Sequence, residues 1–306
     1  MAHRRKIGIL AVLAVIMIVA YLFYGLGSNW DYALPRRGQK VLAIMLSGSS
    51  IALSTVIFQT ITNNRILTPS IIGLDALYIL IHTSLIYFFG SLTVVTLDEN
   101  LLFLLTVACM VSFAGLLYRF LFTREGRDIY LLMLIGIIFG TFFESIASFM
   151  QMLIDPNEFL VVQNRMFASF NNMDTDLLKV SLVAVGLVTI YFFPAFRYLD
   201  VLSLGKEHAI NLGVPYERVV KRLLMYIAIL ISISTALVGP VTFLGLLVAN
   251  LAHEWMRTYQ HKFLTLSAML FSIVALVGGQ LVVERVFTFS TTISVIINLI
   301  GGAYFL

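Results

Sequence analysis

The sequence predicts an all-α, polytopic membrane protein of about ten transmembrane helices, because its charge-free apolar stretches reach the ~20 residues a helix needs to cross a ~30 Å hydrocarbon core. Two further observations agree. Of 306 residues, 60% are hydrophobic and 12% charged, whereas soluble domains carry about 25% charged residues. The Lys and Arg residues also gather in alternate connections, as a membrane topology requires.

The apolar windows fall at 7–26, 41–61, 72–90, 101–122, 129–153, 177–197, 222–238, 241–255, 263–283 and 292–306. The first follows Arg4, Arg5 and Lys6, a basic start that a signal peptide would share. Its run Ile7–Leu26 is longer than the ~7–15 residues of a signal core and no small-residue cleavage motif closes it, so it reads as a retained helix. The eighth window is short and opens at Gly239–Pro240. Between the fifth and sixth, Phe159–Phe170 is too short to span and reads as a surface helix at the outer side. Asn171–Asn172 and Asp174–Asp176 read as the loop that caps the sixth span at its start.

With the N-terminus inside, 14 of the 20 Lys and Arg residues lie on the inner side. The outer six are Arg36, Arg37, Lys40, Arg165, Lys179 and Arg285. This split obeys the positive-inside rule and places both termini in the cytoplasm. The net charge of +4 therefore reports topology and is not a nucleic-acid signal. Trp30, Trp255 and Tyr259 sit near span ends, where aromatic belts are expected.

The single cysteine, Cys109, excludes an intrachain disulfide and reads as a small packing residue within its span. Gly136 and Gly140 form a GxxxG pair suited to close helix packing. His208, His253 and His261 fall on the inner side without metal-ligand spacing and read as solvated or interfacial. No GxxxxGK[ST] loop, HExxH pair or Cys/His cluster occurs. The sequence thus offers no catalytic residues, cofactor or metal site, and the chain does not hydrolyse ATP itself.

The chain reads as one transmembrane domain, 1–306, whose longest connection is the inner loop 198–221. Lys206–Leu212 is compatible with a helix, Gly213 suits the left-handed residue that ends it, and Pro215 suits the start of a second helix. Glu217 near that start, with Arg218, Lys221 and Arg222 beyond, complements the helix dipole. Such a helix–turn–helix is a candidate socket for a soluble partner. Glu144 is the only acid placed deep within a span, at a cost of about 2.5–3.5 kcal/mol on insertion scales, so it is expected to face protein or water. Gly140, Ser148 and Gln151 share its helix face at spacings of three and four.

Four stretches carry a family resemblance. Leu204-Gly205-Lys-Glu-His-Ala209-Ile-Asn-Leu212-Gly213-Val214 resembles the LGxxxAxxLGV loop of the FecCD family, the permeases of ABC importers for iron chelates and cobalamin. Leu34-Pro35-Arg36 is similar to that family's RLPR. Gln59, Asn64, Pro69 and Gly73 match its Q…RNPLAxPxxLG connection. Gly239-Pro240-Val-Thr-Phe243-Leu-Gly245-Leu246 matches its GPIxFxGL segment. Together they span most of the chain in order. The run from Phe58 to Gly73 most resembles permeases for catecholate siderophores such as petrobactin. The departures are Ala33 for an arginine, Arg65 for a proline, Ala249–Asn250 for Pro-His, His253 for an arginine, and Ser290–Thr292 for an acidic-Pro element.

The resemblance implies a type II ABC importer permease fold in the bacterial cytoplasmic membrane and a ferric siderophore as substrate. It implies two permeases around a central path, ABC ATPase subunits below and an extracytoplasmic substrate-binding protein above. The departures fit a subgroup in which two different permeases pair. By position in the family motifs, Gly205, Ala209, Leu212, Gly213 and Val214 would meet the ATPase, and Arg36 and Arg285 would meet acids on the binding protein. Glu144, Ser148 and Gln151 would line the translocation path. An ion-coupled secondary transporter is the alternative, and it would need paired broken helices in two repeated halves. No convincing internal repeat is visible. A membrane scaffold would leave the outer arginines and Glu144 unexplained.

Overall fold

The computed structural model describes residues 2–25, 30–121, 129–171 and 174–305. Arg124, Arg127, Asn172 and the window ends Leu26, Phe122 and Leu306 lie outside the described residues. The described chain is helical throughout, without a β-strand. In order the α-helices are α1 (Ala2–Phe23), α2 (Trp30–Thr62), α3 (Leu74–Phe89), α4 (Ser91–Thr96), α5 (Glu99–Leu121), α6 (Ile129–Leu153) and α7 (Pro156–Met166). They continue with α8 (Thr175–Phe192), α9 (Leu199–Leu202), α10 (Lys206–Asn211), α11 (Tyr216–Val238), α12 (Thr242–Met256), α13 (His261–Arg285) and α14 (Ile293–Phe305). Two 3-10 helices, Pro69–Ile72 and Phe193–Tyr198, complete the set.

Among the described residues, seven helical segments are long and apolar enough to cross a membrane: α1, α2, α5, α6, α11, α13 and the run Thr175–Leu202 that α8 begins. The chain is a multi-pass membrane protein. The three remaining apolar windows hold shorter helices, α3, α12 and α14, of 16, 15 and 13 residues. Phe159–Phe170 falls largely within α7, an 11-residue helix whose N-cap Asp155 accepts a hydrogen bond from the Asn157 N–H. Asp174 caps α8 in the same way, accepting from the Asp176 N–H at 2.6 Å.

Helices α2 and α11 form the centre. Their apolar windows are 78% and 72% buried inside the chain, against 17% for α1 and 11% for the α8 segment. Small residues make this possible, since lipid gives apolar side chains no reason to prefer another helix and close backbone approach must supply the attraction. Ser47, Gly48, Ala52 and Ser54 on α2 are all buried. The buried hydroxyls of Ser47, Thr55 and Thr62 each donate to the carbonyl four residues back, so they enter the core with a partner.

The Gly136–Gly140 pair packs α6 against the connection after α2. A methyl group on Gly136 would lie 2.8 Å from the Ile71 carbonyl oxygen, and one on Gly73 would lie 2.9 Å from the backbone of Gly140. Gly73 also has φ +85°, so glycine there meets both a conformational and a steric demand. Cys109, in contrast, is exposed on α5 and is not a packing residue within this chain. Leu101, Leu105 and Leu116 on the same side are exposed too, whereas Met110 and Ala114 are buried, so α5 has one face free of the chain's own helices.

Candidate functional site

Long-range polar contacts collect at the two ends of the bundle. One end holds the loop 198–221. Gly213, with φ +80°, ends α10. Its N–H donates to the Ile210 carbonyl at 2.9 Å, and the Val214 N–H donates to the Ala209 carbonyl at 3.0 Å. These two bonds are a Schellman cap, in which the third-last helical residue and the residue after the left-handed one touch through apolar side chains. Ala209 and Val214 are accordingly buried, at 0% and 8% exposure. The Ala…Gly-Val spacing therefore specifies a helix stop. Leu212, Ile210 and Leu204 turn outward, at 64%, 49% and 55% exposure. Gly205 is half-buried at the start of α10. Pro215 sits one residue before α11, with φ −72°.

The same loop reaches into the bundle through Asp200 on α9. Its Oδ1 accepts from the His261 backbone N–H at 2.8 Å and lies 2.7 Å from His261 Nδ1. The other ring nitrogen, Nε2, is 2.8 Å from Thr60 Oγ1 on α2. His261 is buried, which corrects its reading as solvated or interfacial. His208 is exposed and His253 half-buried. A polar cleft of about 720 Å³ opens beside these groups, lined in part by Gln59, Asn63, Arg65, Asn250, His253 and Arg257. The Arg65 carbonyl accepts from Gln59 Nε2 at 2.6 Å and from Asn250 Nδ2 at 3.1 Å. Two departures from the family pattern, Arg65 and Asn250, thus bond to each other.

The opposite end carries the cations expected on the outer side. Arg36 is exposed, with its guanidinium 4.3 Å from the Tyr32 ring centroid. Arg285 is exposed too, but it donates to the Tyr24 and Gly25 carbonyls at 2.8 and 3.1 Å. Arg37 donates to the Tyr21, Leu22 and Tyr24 carbonyls, each at 3.0 Å. Arg37 so satisfies unpaired carbonyls at the end of α1, and Arg285 holds those of the turn just after it. Beside them Glu284 accepts from Tyr21 Oη at 2.7 Å, Lys40 Nζ at 3.0 Å and Gln280 Nε2 at 3.0 Å. Lys40 and Gln280 both donate to Asn171 Oδ1 as well. The one sequence signal for this cluster was Gln280 and Glu284 at i and i+4 near the end of an apolar window.

Between the ends, α6 brings its polar stripe together. Glu144 and Ser148 are exposed on the chain's surface, and Gln151 is half-buried with Nε2 donating to Thr83 Oγ1 at 3.2 Å. All three line one open cavity of about 410 Å³ with Ser70, Gly73 and Asp75. Asp75, a second acid in an apolar window, accepts from Thr235 Oγ1 at 3.3 Å. Sequence reading singled out Glu144 and passed over Asp75, which lies near a window's edge.

The profile of the FecCD transport family matches residues 6–306. The chain is 58% identical over 306 residues to the petrobactin import system permease protein YclO of Bacillus subtilis, covering 100% of this chain and 97% of that protein. Two petrobactin import permeases of Bacillus anthracis also match. FatC is 38% identical over 271 residues (89% and 77% of the two chains), and FatD is 26% identical over 252 (78% and 72%). A solved structure of a metal-chelate type ABC transporter in an inward-facing conformation superposes with a TM-score of 0.84 at 24% identity, covering 99% and 97% of the two chains. That likeness is one of fold.

Proposed function

Because this chain belongs to the FecCD transport family, we propose that it is the permease subunit of an ABC importer that carries a ferric siderophore across the cytoplasmic membrane, with petrobactin the first candidate. The observation that carries this reading is the full-length 58% identity to a petrobactin import permease. In this reading the three shorter apolar helices complete ten spans, both termini are cytoplasmic, and residues 1–306 act as one transmembrane domain. The partner permease is a different chain, since Bacillus anthracis has two petrobactin import permeases of very unequal similarity to this one. The remaining partners are ABC ATPase subunits and an extracytoplasmic binding protein.

The residues take roles that follow from chemistry. Loop 198–221 presents Leu212, with Leu204 and Ile210, to the ATPase. Gly205, Ala209, Gly213 and Val214 shape that surface by starting and stopping α10. Arg36 and Arg285 offer cations to acidic residues of the binding protein. Glu144, Ser148 and Gln151 form a wall of the path once the second permease closes the cavity. A charged Glu144 would repel an anionic ferric catecholate, so the wall is a low-affinity one. Deleting the gene should abolish uptake of radiolabelled ferric petrobactin by whole cells, with restoration by the wild-type copy. Undiminished petrobactin uptake, with loss of another iron chelate's uptake, would redirect the substrate assignment.

A further inference from the structure

The Asp200–His261–Thr60 chain joins three elements at one end of the bundle. Asp200 belongs to the loop 198–221, His261 opens α13, and Thr60 lies in the last turn of α2. The bonds are short, at 2.7 Å and 2.8 Å on the two ring nitrogens. The His261 side chain is only 7% exposed. The ring carries the link from Asp200 to α2, while the His261 backbone N–H separately donates to Asp200 at 2.8 Å. Thr60 has one hydroxyl proton, and its oxygen also lies 2.8 Å from the Val56 carbonyl. If Thr60 donates to Val56, Nε2 carries a proton and donates to Thr60, and one proton is held between Nδ1 and Asp200. If Thr60 donates to Nε2, the ring is neutral and donates only to Asp200. In both states each ring nitrogen is bonded, one to the loop and one to α2.

A second feature extends the connection across the bundle. Helices α2 and α13 are tied again at their far ends by Lys40 and Glu284, 3.0 Å apart with 19% and 9% side-chain exposure. The two helices are thus pinned at both ends, and the near pin is also bonded to the loop. A rigid element fixed at two points moves as one body, whereas packing alone permits sliding. We propose that His261 is the positioning residue that transmits movement of the cytoplasmic loop to α2 and α13, and so links ATP hydrolysis to the path. This rests on the importer reading above.

The test uses the complete transporter, with both permeases, the ATPase and the binding protein, reconstituted in vesicles. Substrate transported per ATP hydrolysed is measured for wild type, His261→Phe, Thr60→Val and the Asp200→Asn/Thr60→Val pair. His261→Phe keeps the ring's bulk and removes both ring bonds, so the link from Asp200 to α2 is lost while the backbone N–H bond to Asp200 stays. Thr60→Val is nearly isosteric and serves if His261→Phe fails to insert. Transport per ATP is expected to fall about tenfold in each single variant, since each breaks the link from the loop to α2. The pair should fall little further, because one relay is already broken. ATPase copurification should remain at the wild-type level. His261→Gln, which can donate to Asp200 and accept from Thr60, should recover most of the ratio. An unchanged ratio in Thr60→Val and His261→Phe, or a loss confined to ATPase binding, would overturn the relay. If wild type itself shows no ATP-driven uptake, the importer reading fails instead, so the two failures are distinct.

Discussion

At the scale of single residues, the loop motif illustrates how one pattern serves two ends. Gly213 has the φ of +80° that lets α10 stop, and Gly213→Ala should cost about 1–2 kcal/mol for holding a Cβ in the left-handed region. Leu212 is exposed and should mark the ATPase surface. Leu212→Glu is expected to leave insertion and thermal stability unchanged yet remove ATPase copurification, since a buried unpaired charge at an interface costs several kcal/mol. Intact copurification and coupled hydrolysis would contradict that role. On the other face, Arg36→Glu should weaken binding-protein docking, and the wild-type affinity should fall as salt rises. Reversing an acid on the binding protein should restore part of the loss, while salt-independent docking unaffected by the substitution would exclude Arg36. Arg285 is a poorer reporter, because its guanidinium also holds the turn just after α1 and its loss would disturb the fold. The left-handed Gly213 was legible from the sequence, but the direction of Ala209 and Val214 was not. Small side chains suit both a partner's surface and a helix cap, and only the hydrogen bonds to Ile210 and Ala209 distinguish them.

At the scale of elements, long apolar windows gave away the major spans, because crossing a bilayer demands length and apolarity together. They were less informative for α3, α12 and α14, which end at Gly90, open after Pro240 or stop within a short window. Side-chain pairings between elements were not legible at all. Tyr21 and Glu284 are 263 positions apart, and Asp200 and His261 are 61 apart. No local periodicity encodes such contacts. The α6 stripe was legible because Glu144, Ser148 and Gln151 recur at helical spacing, and the cavity they share also takes in Asp75 from α3. Single cysteines at 144, 148 and 151 in a Cys109→Ser background will report whether that cavity is wet. Cys109 must be removed first because it is exposed. Labelling by a water-soluble thiol reagent should change between nucleotide-free and ATP-trapped transporter at 144 and 148. Protection of both positions in every state would place the stripe in packing against the second permease.

For the whole molecule, a central pair of helices, α2 and α11, is wrapped by spans such as α1 and α8 that bury little of themselves within the chain. Exposed apolar side chains such as Leu92, Met152 and Ile190, at 83%, 85% and 74% exposure, suit a surface covered by lipid or by a second permease. The polar groups concentrate instead at the two ends and in the α6 cavity, which is the distribution expected of a conduit moved from one end and loaded from the other. In the proposed importer a separate ATPase drives the chain from the loop end. The decisive measurement is uptake of radiolabelled ferric petrobactin into vesicles holding this chain, its partner permease and the ATPase, with binding protein supplied on the outer side. Uptake should require ATP, the ATPase and the binding protein together, and should persist when ionophores collapse every ion gradient. Uptake driven by a proton or sodium gradient without the ATPase would contradict the account and make the chain a secondary transporter.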